Sequence, residues 1–136
     1  MILADTSAWV EYDRATGSSV DRRLTELIAS DGPLATTEPV IMALLAGSRE
    51  NAEQERLRRM LLCFELLSFE VVADFEGAAH IYRRCRAAGV TPRGLLDCMI
   101  AAVASRREAA LLSRDADLSR VADVIGIALD HASITA

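Results

Sequence analysis

Four aspartates are spaced so that they could meet at one edge of an α/β domain. Asp5 directly follows the apolar residues 2–4, and Asp115 follows a second apolar run that begins at residue 110. The carboxyl ends of parallel strands meet at one rim of a sheet, where α/β proteins bind ligands, so we expect both acids on that rim. Asp117 lies two residues further on, and Asp97 lies in the opening turns of the most apolar predicted helix.

Several carboxylates on one rim repel one another unless a cation lies between them. A hard divalent ion such as Mg²⁺ suits such a set, because it binds few carboxylates and keeps waters that can react. Such a site can activate water and stabilise the leaving oxygen in phosphodiester cleavage. Taken singly, each acid also has an ordinary role: Asp5 and Asp115 as helix caps, and Asp97 and Asp117 as first-turn acids favoured by the helix dipole.

Arginine provides all 15 basic side chains, so every cation of the chain can hold a phosphate or carboxylate through two parallel hydrogen bonds. Arg93 lies in the loop before Asp97, shortly after the arginine cluster at 83–86, and Arg114 directly precedes Asp115. These side chains are candidates to hold substrate phosphates beside the acidic rim. The alternatives are a solvated helix face for the cluster and an ion pair with the neighbouring acid for Arg114.

The elements that position these residues follow an alternation of short apolar and longer amphipathic runs. This pattern is typical of an α/β domain with a mainly parallel sheet. Trp9 and Tyr12 on the first helix are interpreted as core residues, with packing in a partner groove as the alternative. Strands are predicted at residues 1–5, 34–36, 69–72, 110–113 and 127–129, and helices at 6–12, around 20–28, and at 37–47, 51–64, 74–88, 95–106 and 115–124.

The composition narrows the class of protein further. A chain of 136 residues, 51% of them apolar, fits one compact domain. Its net charge of −5 argues against nucleic-acid binding by bulk charge alone, but not against a nuclease with a local basic rim. No uncharged apolar run reaches the roughly 18 residues of a membrane span, and the amino terminus lacks the features of a signal peptide, so a cytoplasmic protein is expected. The three cysteines form no C-x-x-C motif and are interpreted as reduced core residues.

Three blocks of sequence carry a family resemblance. They are ILADTSAWV at 2–10, LLDCMIAA at 95–102 and SRDADL at 113–118. In this order and spacing they resemble the VapC toxins, which are PIN-domain proteins. The resemblance implies a single PIN domain over residues 1–136 with a three-layer α/β/α fold. It also implies Mg²⁺- or Mn²⁺-dependent endoribonuclease activity, with tRNA among the possible targets, a VapB-type antitoxin as partner, and a homodimer or a larger assembly with the antitoxin.

By position, the same resemblance assigns roles to individual residues. Asp5, Asp97 and Asp115 would be the acids of the metal site, and Asp117 a nearby acid that shares the role. Thr6 or Ser7 would orient Asp5 or a water bound to the metal. The apolar third and fourth helices, with Leu44, Leu45, Leu61 and Leu62, are candidates for the groove that receives the antitoxin.

One position departs from the family pattern. The family has a glutamate in the helix after the second strand, and here the matching residue in VIMALLAG at 40–47 is Ala43. Glu38 lies five residues earlier, about 140° away on an ideal helix, and is not expected to substitute. The alanine is either natural or an engineered replacement made because an active toxin kills its expression host. We favour replacement, since every other acid of the pattern is present, and a native Ala codon would refute it. In both cases the chain as given is expected to cleave RNA poorly.

Two other functions compete with a ribonuclease toxin. A haloacid-dehalogenase-like phosphatase would use Asp5 as a nucleophile, but that class has a second aspartate two residues later and a catalytic lysine. Here Ser7 stands at that position, and the chain has no lysine. A non-catalytic PIN-fold module that binds RNA or a partner stays open because of Ala43.

Overall fold

The computed structural model describes residues 1–134, and at its centre lies a four-stranded parallel sheet. The strands are β1 (Ile2–Ala4), β2 (Leu34–Thr36), β3 (Glu65–Leu66) and β4 (Ala110–Leu112), in the order β3-β2-β1-β4. Both central strands are buried along their full length. The helices are α1 (Thr6–Asp13), α2 (Ser19–Ala29), α3 (Glu38–Ala46), α4 (Asn51–Leu61), α5 (Val71–Ala87), α6 (Leu95–Arg107) and α7 (Ala116–Ile125).

The strand order determines which helices share a face of the sheet. The chain moves in one direction from β1 through β2 to β3 and then returns to β4 on the other side of β1. Because crossovers between parallel strands are right-handed, α1 to α4 lie on one face and α5 and α6 on the other. The last helix, α7, packs on α5 and α6. This arrangement confirms the three-layer α/β/α architecture with a parallel central sheet.

The third strand was predicted in the wrong place. The prediction at 69–72 rested on two β-branched residues, but Val71 and Val72 begin α5 and are exposed. The Glu70 N–H donates to Asp74 Oδ2 at 2.7 Å, which satisfies a backbone donor at the start of the helix. The true strand, β3, is two residues long, exposed and at the sheet edge, so it lacks the apolar pattern that identifies a buried strand.

Two further boundaries differ from the prediction. The fourth helix ends at Leu61 instead of continuing to residue 64. The strand expected at 127–129 is reduced to an isolated parallel bridge between Leu111 and Leu129. The Leu111 N–H donates to the Ala128 carbonyl at 2.9 Å and Asp130 N–H donates back to Leu111 at 2.7 Å, so the segment still covers the outer edge of β4.

The core confirms some predicted inward positions and corrects others. Trp9 is fully buried and packs edge-on against Tyr12 and at a tilt against Phe64. Cys85 and Cys98 are buried and reduced as predicted, but Cys63 is exposed. Among the leucines predicted to form a partner groove, Leu44 and Leu61 are buried core residues, and Leu62 is the one that is well exposed.

Among residues 1–134, none of the helices is both long and apolar enough to cross a membrane.

A buried ion pair joins α5 to α6. Asp74 is 1% exposed, and Arg106 donates to it from Nε at 2.9 Å and from Nη2 at 2.7 Å. Burial alone would raise the pKa of Asp74, but the Arg106 guanidinium and the Glu70 amide hold it below its ordinary value. We expect Asp74→Ala to lower the free energy of unfolding by about 2 kcal/mol, because the half-buried Arg106 loses its buried carboxylate partner and keeps only Glu70 and the Ser68 carbonyl.

Urea denaturation measures this effect, with Asp13→Ala as the control. That change breaks the exposed Arg56–Asp13 pair and is expected to cost less than about 1 kcal/mol. Equal losses for both variants would contradict a special role for the buried pair.

Candidate metal centre

Asp5 is the most firmly held acid of the predicted site. It stands at the end of β1 as the N-cap of α1 and is 2% exposed. Its Oδ1 accepts from the Ala8 N–H at 2.9 Å and from Ser7 Oγ at 2.7 Å, and its Oδ2 accepts from Ser113 Oγ at 2.6 Å. The cap explains why a helix starts directly after the strand, and the three donors fix the direction of the carboxylate.

Asp97 lies in the first turn of α6, half-buried, beside the other acids. Burial raises its pKa to about 6, and the carboxylates of Asp115, Asp5 and Asp117 add to the rise. Burial also raises the pKa of Asp5 to about 6, against the hydrogen bonds from Ser113 and Ser7. Carboxyl groups with raised pKa values that face one another show that this rim is short of positive charge.

Arg93 provides one cation at this rim. Its Nη2 donates to Asp115 Oδ2 at 2.7 Å, and its Nε and backbone N–H donate to Asp117 Oδ2 at 3.4 and 3.0 Å. Asp115 caps α7 through the Asp117 N–H at 2.9 Å, so a local turn holds both acids. The Arg93 side chain is 72% exposed and is therefore free to leave these carboxylates.

A cleft of about 450 Å³ brings most of the predicted site residues together. Its carboxylate oxygens are hard ligands of the kind that Mg²⁺ and Mn²⁺ prefer, so the donor set fits such an ion. Within residues 1–134, however, no three acidic, histidine or cysteine side chains are arranged to hold a metal without rearrangement. The cleft is lined by Asp5, Thr6, Ser7, Arg93, Gly94, Leu96, Asp97 and Asp115.

Ala43 lies outside this cleft, in a smaller cavity next to it. Thr6 lines both spaces, and its Oγ1 is buried without a hydrogen-bond partner in the described part of the chain. The second cavity measures about 130 Å³, so a longer side chain at position 43 has space beside Thr6. Glu38 does not take this place, because its Oε1 accepts from the Phe69 N–H at 2.7 Å.

Ser113 and Arg114 act differently from the sequence interpretation, whereas Ser7 donates to Asp5 as the resemblance implied. Arg114 pairs with Glu11 at 2.9 Å and not with Asp115 or the cleft, although its side chain is 45% exposed. Its backbone N–H donates to Ser7 Oγ at 2.8 Å. Ser113, for which no role was predicted, donates to Asp5 and accepts from the Asp115 N–H at 3.0 Å. Ser113 could have been identified from its position, because it lies between the end of a strand and an acid. The hydroxyl residues that follow Asp5 lie in a similar position.

Because the pKa values of Asp5 and Asp97 are raised, the carboxylate cluster should destabilise the folded chain to an extent that depends on pH. A carboxyl group with a raised folded-state pKa binds extra protons in the native state, so its stability contribution falls as pH rises from about 4 through about 6. In the metal-free chain, Asp97→Asn should therefore increase the free energy of unfolding more at pH 7.5 than at pH 5, by on the order of 1 kcal/mol. Urea denaturation in EDTA at both pH values measures the difference, and an equal effect at both would contradict the prediction.

Comparisons with known proteins identify the family of the chain. The family model of the PIN domain matches residues 2–124. Ribonuclease VapC11 of Mycobacterium tuberculosis is 40% identical over 128 residues, which cover 93% of this chain and 96% of the relative. Among solved structures, VapBC2 from Rickettsia felis has a TM-score of 0.75 at 19% identity, covering 98% and 99% of the two chains. VapC20 of M. tuberculosis, described as a sarcin-ricin loop cleaving toxin, has a TM-score of 0.66 at 18% identity over 88% and 93%. The chain thus belongs to the PIN-domain family, and within it to the VapC proteins.

Proposed function

We propose that the chain is the toxin of a toxin–antitoxin pair and that its reaction is metal-dependent endonucleolytic cleavage of RNA. The observation that carries this proposal is the cleft in which Asp5, Asp97 and Asp115 face one another. The names of the relatives support it, since VapC11 is a ribonuclease and VapC20 cleaves the sarcin-ricin loop. The solved neighbours include toxin–antitoxin complexes, which supports a VapB-type antitoxin as partner. The acids do not select the RNA. Surfaces outside the cleft decide whether tRNA or another RNA is cleaved.

Asp5, Asp97 and Asp115 would hold Mg²⁺ or Mn²⁺, with Asp117 beside them. When bound, such an ion supplies an activated water and neutralises charge that develops on the phosphate. The chain's own contribution is orientation: Ser7 and Ser113 donate to opposite oxygens of Asp5 and keep its carboxylate pointed at the cleft. The raised pKa values of Asp5 and Asp97 mean that a cation which restores their ionised form binds most strongly above about pH 6.

Arg93 has a second role in this proposal. In the metal-free chain its guanidinium neutralises Asp115 and Asp117, the two acids with which it is in contact. If a divalent cation were held by these acids, the exposed Arg93 side chain would be free to bind a substrate phosphate, which a guanidinium can hold bidentately. Arg114, tied to Glu11, supports the loop between β4 and α7 more than it supports the substrate.

Ala43 makes the chain a weak enzyme in this proposal. The family glutamate would extend from α3 into the cavity beside Thr6 and bring an acceptor to the unpartnered Thr6 Oγ1. Without it, the acid set lacks one member next to Asp5. The same observation favours the second candidate function, a PIN-fold module that binds RNA or a partner without cleaving.

Cleavage of total cellular RNA tests the proposal. The purified chain and its Ala43→Glu form are incubated with Mg²⁺, Mn²⁺ or EDTA, with an Asp97→Asn version of each as control. Discrete fragments that require metal, the glutamate and Asp97 would support the toxin. Absence of cleavage by every form, with metal binding confirmed by calorimetry, would favour the binding module.

A further inference from the structure

The carboxyl-terminal half of α5 carries a cluster of exposed basic side chains, which we call the α5 groove. They surround a shallow depression of about 570 Å³ whose floor includes Ala87. Its basic members are His80, Arg83, Arg84 and Arg86, all exposed.

In the part of the chain that the structure describes, the three arginines of the α5 groove have no carboxylate partner. Arg83, Arg84 and Arg86 form no ion pair or side-chain hydrogen bond with any residue from 1 to 134, whereas Arg23 and Arg106 each bind a carboxylate at 3.1 Å or less. The chain as a whole is acidic, with a net charge of −5, so acidic residues to neutralise the cluster are abundant. Three adjacent cations left unpaired in such a chain repel one another, and an anion bound between them relieves that repulsion.

The α5 groove lies at the same end of the molecule as the acidic cleft. The loop at 88–94 connects the end of α5 to the start of α6, and this loop carries Arg93, which lines the cleft. The α5 helix packs on α6 and α7, whose first turns carry Asp97 and Asp117. A polymer that extends from the cleft along α5 would therefore contact the arginines of the α5 groove.

We propose that the α5 groove binds the phosphodiester backbone of single-stranded RNA next to the cleavage site. This inference rests on the proposed function, because it assigns the groove to the same substrate. Guanidinium groups bind phosphate oxygens through paired hydrogen bonds, and the groove is built from guanidinium groups and a histidine. Arg86 lies over the Tyr82 ring, 5.8 Å from its centroid, which restrains one of the phosphate-binding side chains.

An acidic protein segment fits the groove less well. Protein segments that bind in grooves place apolar side chains into pockets, and the only apolar lining residue here is Ala87. A groove lined by four basic side chains and a single alanine suits a ligand that presents phosphates at its surface, and such contacts select no particular sequence.

Binding of a fluorescein-labelled single-stranded RNA of mixed sequence, measured by anisotropy in EDTA, tests the inference. The variant R83Q/R84Q/R86Q is compared with R58Q/R59Q/R107Q, which removes the same charge from exposed arginines elsewhere. We expect the groove variant to bind at least about 10-fold more weakly and to lower the slope of log Kd against log salt by about 2, from roughly 0.7 per lost phosphate contact. The control should change affinity by less than about 3-fold.

Three outcomes would overturn the proposal. They are unchanged binding by the groove variant, equal weakening by the control, and loss of affinity for poly-glutamate but not for RNA, which would assign the groove to an acidic protein. The single charge reversal Arg83→Glu repeats the test with minimal disturbance and should also weaken binding. Because no metal is present, the readout does not depend on cleavage. Normal RNA binding by an Ala43→Glu chain that does not cleave with Mg²⁺ would count against the proposed cleavage and leave the groove in place.

Discussion

Restoring glutamate at position 43 is expected to raise Mg²⁺-dependent RNA cleavage by about 10- to 100-fold or more, the range that changes next to metal ligands usually produce. The structural reason lies in the cavity beside Ala43, which is separated from the acidic cleft by Thr6. A glutamate there adds an anionic oxygen near Asp5 and offers an acceptor to the buried Thr6 hydroxyl.

The Ala43→Gln variant is the matched control, because glutamine has the same length and can also accept from Thr6. If charge is the missing feature, glutamine should leave cleavage near the level of the unmodified chain. Gel analysis of total RNA over a series of Mg²⁺ concentrations separates the effects, since a charge that strengthens metal binding lowers the Mg²⁺ concentration at half-maximal rate. Equal activation by glutamine would show that filling the cavity, and not the carboxylate, was needed.

Strong cleavage by the unmodified chain would contradict the prediction in another way. It would mean that Asp5, Asp97 and Asp115 suffice and that position 43 has no part in the reaction. Failure of both substitutions, with the metal bound, would point to the binding module instead.

The acids of the cleft could be predicted from sequence because each is specified locally. Asp5 and Asp115 both follow a buried strand and cap the next helix, and their side chains accept from backbone N–H groups two or three residues later. Such signals need only a short stretch of chain. The parallel sheet then brings the two strand ends together, as the Asp5 N–H bond to the Leu112 carbonyl at 3.0 Å shows.

The partners of the arginines could not be predicted in the same way. Arg114 adjoins Asp115 in sequence but reaches Glu11 on α1, a residue more than a hundred positions away. Arg93 lies more than twenty positions from the two acids it neutralises. Both pairings depend on how loops fold over the rim, and a flexible side chain with many acids nearby has no local pattern that selects one.

The prediction of the short edge strand β3 failed for a different reason. Residues 65 and 66 are exposed, so their sequence does not alternate between apolar and polar residues as in a half-buried strand. Val71 and Val72 resemble a strand only because both are β-branched. β-propensity reflects packing on a half-buried surface, and at the start of α5 that surface is absent. The cavity next to Thr6 escaped prediction because it is formed between α1 and the pair α3 and α4, which lie more than twenty residues further along the chain.

Replacing Asp5 by asparagine in the Ala43→Glu background is expected to lower the rate of cleavage by about 100-fold or more. The substitution removes a metal ligand and its charge. The variant should fold normally. Asparagine Oδ1 can still accept from the Ala8 N–H, its amide can donate to Ser113 Oγ, and a neutral group avoids the cost of burying a charge that is 2% exposed. We therefore expect the metal-free unfolding free energy to stay within about 1 kcal/mol of the parent.

Thermal unfolding with and without Mg²⁺ separates loss of the metal from loss of the fold. A ligand at 100 times its dissociation constant adds about 2.7 kcal/mol to the native state, so the parent should gain in Tm with Mg²⁺ and the Asp5→Asn variant should not. Asp123→Asn, on the exposed side of α7, removes the same charge and should keep the full gain. If Asp5→Asn keeps both its Mg²⁺-induced stabilisation and its cleavage, the buried carboxylate serves only as the cap of α1, and the reactive centre must be assembled from Asp97 and Asp115 without it.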